Sequence, residues 1–221
     1  MLKNKLSQRL YENLKALYFD IKRFYRRLVS SKKKRHTKFT NLHIGCGDKK
    51  VEGWINVDLS GADVNIDLSA GYLPWNDNVF ENIASQHFVE HLYIKDELIP
   101  MLKECYRVLK PNGQLWLSTP DLKKLCNAYL NDACAGMVTD RAARLSNWTL
   151  GNYPSQQFMN DMFYQKGEHK NLFDYELLKW VLQQAGFSNI EKSNETGFMK
   201  QFPDFFNRHD DLQTLYVKAI K

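Results

Sequence analysis

Long apolar runs are missing from this 221-residue sequence: no stretch reaches the roughly 18 uncharged apolar residues that a membrane-crossing helix needs. Charges are scattered through the first thirty residues in place of a compact apolar segment, so neither a spanning helix nor a secretory leader is expected. Cysteine is sparse, and Cys46, Cys105, Cys126 and Cys134 form no CxxC pair. That excludes a disulfide scaffold and points to free thiols in a reducing, cytoplasmic setting. Internal repeats and low-complexity tracts are absent from the body of the chain. What is present is core material: 43% hydrophobic residues, five Trp and eleven Tyr suit one domain with an appendage and exclude wholesale disorder.

Positive charge is unevenly spread. The net charge of +6 comes from residues 1–40, where thirteen Lys and Arg face only Glu12 and Asp20; the remainder holds eighteen basic and twenty-three acidic residues. A uniformly basic nucleic-acid-binding domain would not divide this way, and no base-reading module stands out, so no specific nucleic acid is expected. Within the arm, residues 1–38, Leu2, Leu6, Leu10, Leu14, Leu17, Ile21, Phe24 and Leu28 recur every three or four residues, the spacing of an amphipathic helix. Such a basic helix can pack on its own domain or on a second copy of the chain. It can also lie on an anionic membrane, peripheral to the inner face, with each Lys or Arg worth about 1 kcal/mol. Oligomeric state is not encoded in any local pattern.

From residue 39 onward the chain alternates strand-like and helix-like segments, the pattern of an α/β fold with a mostly parallel sheet. Strands are expected at 41–45, 54–59, 63–67, 82–86, 114–118, 189–192 and 214–219. Helices are expected over 96–109, stopped by Lys110-Pro111-Asn112-Gly113, and over 175–185, with Asp174 as N-cap and Gly186 at the stop. Residues 121–171 have weaker helical patterns and read as an insertion that caps the substrate site.

The loop after the first expected strand is Gly45-Cys46-Gly47, where glycine permits positive φ or close approach to a ligand. Asp58 closes the next strand and can accept both hydroxyls of a ribose, and Asp67 is expected to close a third strand on the adenine side. No third glycine follows and residues 48–53 are too short for a full helix, so the pattern suits adenosine without a diphosphate.

At these residues the sequence resembles the class I S-adenosylmethionine-dependent methyltransferases. Leu42-His43-Ile44-Gly45-Cys46-Gly47 is similar to their first motif and Trp54-Ile55-Asn56-Val57-Asp58 to the second-strand acid. Leu73-Pro74-Trp75 through Phe80, with His87 to Leu92, is similar to the fourth-strand region, and residues 107–113 to the turn into the fifth strand. Thr119-Pro120-Asp121-Leu122 and His169-Lys170 through Gly186-Phe187 extend the similarity to a methyltransferase type 11-like branch associated with cell-surface polysaccharide biosynthesis. The likeness covers about residue 40 to the C-terminus and leaves out the arm. It implies a Rossmann-like, seven-stranded, mostly parallel sheet with an antiparallel last strand, a methyltransferase domain over 39–221, and S-adenosyl-L-methionine as cofactor. It also implies that Gly45, Cys46 and Gly47 approach the methionine part, Asp58 with Leu59 the ribose, and Asp67 with Leu68 the adenine, while Gln86 and His87 face the methyl-transfer pocket. The family's commonest first motif has an acid where this chain has His43.

Methyl transfer to a hydroxyl needs the nucleophile in line with the S–CH3 bond and a base for its proton. His87, His91 and His169 are the candidates, because imidazole titrates near neutrality. Each has a structural alternative: His87 lining the cofactor pocket, His91 as a hydrogen-bonded residue opening a helix, and His169 ordering the loop before Asp174. Trp148, Tyr153, Phe158, Phe163 and Tyr164 either pack the insertion or roof an acceptor. His87-Phe88-Val89-Glu90-His91 spells HxxEH, which binds zinc when a long helix stacks the two histidines and a third ligand completes the set. Following directly on a buried strand, it gives no expected metal, and Glu90 reads as an acid favoured at a helix N-terminus. The expected function is methyl transfer to a small-molecule or glycan acceptor, with a sugar hydroxyl preferred. The alternatives are a non-catalytic cofactor-binding or membrane-associated adaptor with the same fold, and a nicotinamide oxidoreductase or zinc hydrolase.

Overall fold

The computed structural model describes residues 34–221 together with Leu10, Asn13, Leu14, Leu17, Ile21, Phe24 and Tyr25 of the arm. Those seven are helical, and their apolar side chains are 45–66% exposed. The rest of the expected amphipathic helix and most of its basic residues lie outside the described residues. Among the described residues no helix is long and apolar enough to cross a membrane.

The strands are β1 (Asn41–Ile44), β2 (Ile55–Asp58), β3 (Val64–Asn65), β4 (Phe80–Gln86), β5 (Leu109–Pro120), β6 (Asn189–Ser193) and β7 (Thr214–Ile220). The α-helices are α1 (Ile99–Val108), α2 (Leu122–Asp132), α3 (Ala135–Arg144), α4 (Gln156–Tyr164), α5 (Tyr175–Gln184) and α6 (Glu195–Gln201). Among the described residues the strands form one seven-stranded sheet in the order β3-β2-β1-β4-β5-β7-β6. β1 to β5 run parallel, and β7 inserts antiparallel to both β5 and β6. The expected mostly parallel sheet with an antiparallel last strand is present.

Strand alternation sorts the two faces. Leu42, Ile44, Leu115, Leu117 and Val217 point to the layer containing Met101, Leu102 and Cys105 of α1 and Leu178, Val181 and Leu182 of α5. Ala84, Trp116 and Tyr216 point the other way, where no helix joins β1 to β2. That face is covered by Val51 and Trp54 of the β1–β2 link and by Phe198, Phe202 and Phe205 at and after α6. Trp54 meets Phe202 and Phe205 edge-on at 5.0 and 4.9 Å. The Asn56 side chain fastens the link: Oδ1 accepts from Val51 N at 2.9 Å, and Nδ2 donates to Val51 O at 3.0 Å and Asp63 Oδ2 at 2.8 Å.

Three expectations shift. The helix expected from residue 96 begins as a π-turn at Ile94–Leu98, becomes α-helical at Ile99 with Pro100 in its first turn, and ends at Val108, because Leu109 already pairs with Phe80. β3 is only two residues long, so Asp67 does not close it but N-caps the short turn Leu68–Ala70, accepting from Ser69 N at 3.1 Å. The insertion folds as α2, α3 and α4 around Leu125, Cys134, Met137, Phe158 and Met162. Trp148 packs edge-on against Phe158 at 6.0 Å, whereas Tyr153, Phe163 and Tyr164 are exposed. Asp174 caps α5 as expected, accepting from Leu177 N at 2.8 Å.

Candidate active site

Beyond the end of β1, the amides of Gly45 and Cys46 both donate to Val57 O, at 2.8 and 3.2 Å, turning the chain toward β2. Gly45 has φ +66°, and a Cβ there would fall 2.4 Å from Phe88 Cγ, so conformation and space both demand glycine. Gly47, at φ +55°, has nothing within 4 Å of its Cβ position. Its amide donates to Asp58 Oδ2 at 2.8 Å, while Leu59 N donates to Oδ1 at 2.6 Å. Asp58 therefore ties two strand ends together and keeps further lone pairs for an incoming hydroxyl.

A cavity of about 450 Å³ opens beyond the carboxyl ends of β1, β4 and β5, where open α/β sheets bind ligands. Gly45, Cys46, Gly47, Gln86 and His87 line it, as do Glu90, His91 and His169. Arg141 and Arg144 of α3 and residues 208–210 before β7 complete the wall. Asp58, Leu59, Asp67 and Leu68 do not line it: Leu59 is 61% exposed, and Leu68 is buried in the main core. A larger cavity of about 1040 Å³ lies at the opposite, amino-terminal edge of the sheet against His36, Trp54, Asp63 and Trp75. It has no strand-end glycine loop, and the carboxyl-end cavity is the candidate site on topological grounds.

His87 is the electrostatic centre of that cavity. It has φ +53°, and only the short 3₁₀ turn Val89–His91 follows, so His87 and His91 are not stacked on a helix and the HxxEH zinc-peptidase geometry does not form. The His87 Nε2 lies 2.9 Å from Asp210 Oδ2, and Nδ1 lies 3.4 Å from Glu90 Oε1. Burial disfavours its charge, but the bonds to Asp210 and Glu90 outweigh burial and raise its pKa. The Asp210 carboxyl is held well below the usual range: burial opposes this, and His87, Tyr216 and Arg208 overcome it. Tyr216 OH donates to Asp210 at 2.7 Å and Arg208 Nε at 3.0 Å. Both ring nitrogens of His87 thus face buried carboxylates, which suits the ring to positioning. Glu90 is fully buried, unlike an acid displayed at a helix N-terminus; burial works against its charge, and His87 prevails and lowers its pKa.

The other histidines differ. His169 Nδ1 donates to Met162 O at 2.6 Å, leaving Nε2 as the acceptor nitrogen, and burial lowers the ring's pKa despite that bond. His91 faces it, the ring centroids 4.9 Å apart. Cys46 offers no thiolate, since burial and then the Asp58 charge push its pKa up to about 11. Gln86 Nε2, Gln213 Oε1, Arg141 Nε and Arg144 Nη2 are buried along this one cavity without a hydrogen-bond partner. Orphaned donors and acceptors gathered in one place fit a polar ligand.

Several of these residues are invisible to motif reasoning. Asp210, Arg208 and Tyr216 lie more than 115 positions from His87. The buried carboxylate of Glu195 gathers the amides of Arg208, His209 and Asp210 at 2.5, 2.7 and 3.0 Å. The weak signal was a cluster of charges, Arg208-His209-Asp210-Asp211, directly before an apolar strand.

A family model described as a methyltransferase domain matches residues 54–117, from the residue before β2 into β5. Curated relatives include the ubiquinone/menaquinone biosynthesis C-methyltransferases UbiE of Cronobacter sakazakii, 28% identical over 145 residues, and of Klebsiella pneumoniae, 27% identical over 144. Each match covers 64% of this chain and 52% of the relative, so the chain spans about half the length of the curated relatives it matches. Among solved structures, a SAM-dependent methyltransferase from Archaeoglobus fulgidus is 18% identical, covering 92% of this chain and 99% of that one, with a TM-score of 0.47. Over residues 54–117 the chain thus resembles a methyltransferase domain, and the strand order and the glycine loop tied to Asp58 accord with that likeness.

Proposed function

We propose that the protein transfers a methyl group from S-adenosylmethionine to a polar, hydroxyl-bearing acceptor of the sugar or glycan class. The observation that carries this is the Gly45–Gly47 loop, bound to Asp58 and opening on a cavity whose buried polar atoms lack protein partners. Gly45, Cys46, Gly47 and Gln86 would hold the methionine part, and Asp58 with Leu59 the ribose. Asp67 would flank the adenine, with Leu68 anchoring its turn in the core. When bound, the cofactor supplies an electrophilic methyl group on a sulfonium. The chain's own residues orient the acceptor: Arg141, Arg144 and Arg208 supply donors, while His87, pinned by Asp210 and Glu90, fixes the floor. This charged lining favours an acceptor rich in oxygen.

Calorimetric titration with S-adenosylhomocysteine tests the cofactor half. Asp58→Ala should weaken binding about 10- to 100-fold, the worth of ~1.5–3 kcal/mol for hydrogen bonds to a charged group. Unchanged affinity in a folded variant overturns the assignment. Labelled cofactor offered with sugars, lipid-linked glycans and quinones tests the acceptor, and methylation of the quinones alone would refute the glycan class.

A further inference from the structure

We propose that Glu90, His91 and His169 form a binding site for one divalent first-row transition-metal cation. The three residues come from two segments nearly eighty positions apart, and each offers one ligand atom within 4.8 Å of the others. Two ligands bound at about 2.1 Å to a common ion stand about 4.2 Å apart when opposite and closer otherwise, so closing the set needs a shift of at least about 0.6 Å at its longest edge.

The backbone already holds the two segments in register. Glu90 O accepts the amides of Lys170 and Asn171 at 2.8 and 3.2 Å, and Asn171 Nδ2 donates to Leu92 O at 2.6 Å. Three hydrogen bonds thus clamp the His169 segment against the Glu90–His91 turn. His169 donates Nδ1–H to Met162 O, which fixes the ring and presents the Nε2 lone pair, as the outer hydrogen bond of a metal-binding histidine does. Glu90 is fully buried; Oε2 accepts from Thr119 Oγ1 at 3.2 Å, while Oε1 has only the 3.4 Å contact with His87 Nδ1. The His87 ring sits 3.4 Å from that oxygen but makes its shorter contact, 2.9 Å, with Asp210. The Glu90 contact is thus the longer of the two that His87 makes.

Two imidazoles and one carboxylate select for manganese to zinc over calcium, which prefers six or more oxygens. Three protein ligands leave positions open toward the cavity. Resting on the methyltransferase assignment, the cation would there receive an acceptor hydroxyl, lower its pKa and release its proton to water. Half of the HxxEH motif thus serves a metal, with a distant histidine in place of His87.

The test uses the full chain stripped with a chelator and titrated with Co²⁺, read by its visible absorption, and with Zn²⁺, read by calorimetry. One equivalent of each should bind. His169→Ala, His91→Ala and Glu90→Gln should each lower the affinity about tenfold or more, while His36→Ala changes nothing. Thermal unfolding and S-adenosylhomocysteine binding, measured on every variant, separate loss of a ligand from loss of the fold. No uptake, or equal Co²⁺ affinity in folded His169→Ala protein, overturns the site. S-adenosylhomocysteine binding that persists in that case leaves the methyltransferase assignment standing; Co²⁺ uptake without it would sink the assignment and keep the metal.

Discussion

His43 occupies the position of an acid in the commonest form of the first motif, yet its side chain faces away from the cavity. It is 3% exposed, its Nδ1 donates to Asn56 Oδ1 at 3.1 Å, and its ring meets Phe205 edge-on at 4.8 Å. Burial outweighs the Asn56 bond and the Asp58 charge and lowers its pKa to about 4. The unfolded chain accepts this proton near 6.5 and the folded chain resists it, so the neutral ring's contribution is complete above about pH 6.5. It falls as pH drops toward 4 and is gone below that. The gap corresponds to about 3 kcal/mol. Urea unfolding between about pH 7.5 and about pH 4.5 should lose most of that stability, and His43→Gln should flatten the slope. Gly45, by contrast, was legible at the residue level, because positive φ beside a strand end has few substitutes.

At the scale of elements, the β1–β2 link shows how a missing helix is replaced. Asn56 binds the link from within β2, and Trp54 fills the sheet face against Phe202 and Phe205. Trp54 is 6% exposed, so Trp54→Ala should lower the unfolding free energy by about 3–5 kcal/mol, seen as a lower urea midpoint at unchanged slope. The shortness of the link was evident from Gly47 and Trp54 alone. Its replacement was not, since α6 lies some 140 residues later and buries aromatics that locally read as ordinary apolar positions. β1, β4 and β7 were legible through alternation. The insertion was opaque, because α2, α3 and α4 pack a small satellite core from which Leu130 and Tyr164 remain exposed.

Across the whole molecule, the described residues of the arm lie apart from the lining of the site. Lys34 Nζ donates to Trp75 O at 2.9 Å and Arg35 N to Pro74 O at 2.6 Å, so the body is fastened from residue 34 onward. No described residue of the arm before Lys34 lines the carboxyl-end cavity. Removing residues 1–33 should leave S-adenosylhomocysteine affinity within about twofold by calorimetry, and a larger loss would show that the arm reaches the site.

The sequence by itself determined the alternation of strands and helices, the glycine loop, Asp58 and the strand-end positions Gln86 and His87. These depend on side-chain periodicity and backbone freedom, which act over a few residues. Only the tertiary structure decided that His87 lies between Asp210 and Glu90, that Glu90 is buried, that His169 faces His91, and that Arg141 and Asp210 share one cavity. The placement of β7 between β5 and β6 and the clamp of Lys170 and Asn171 onto Glu90 bring these groups together. Charge, desolvation and metal affinity depend on distance in space, and no local pattern carries that distance.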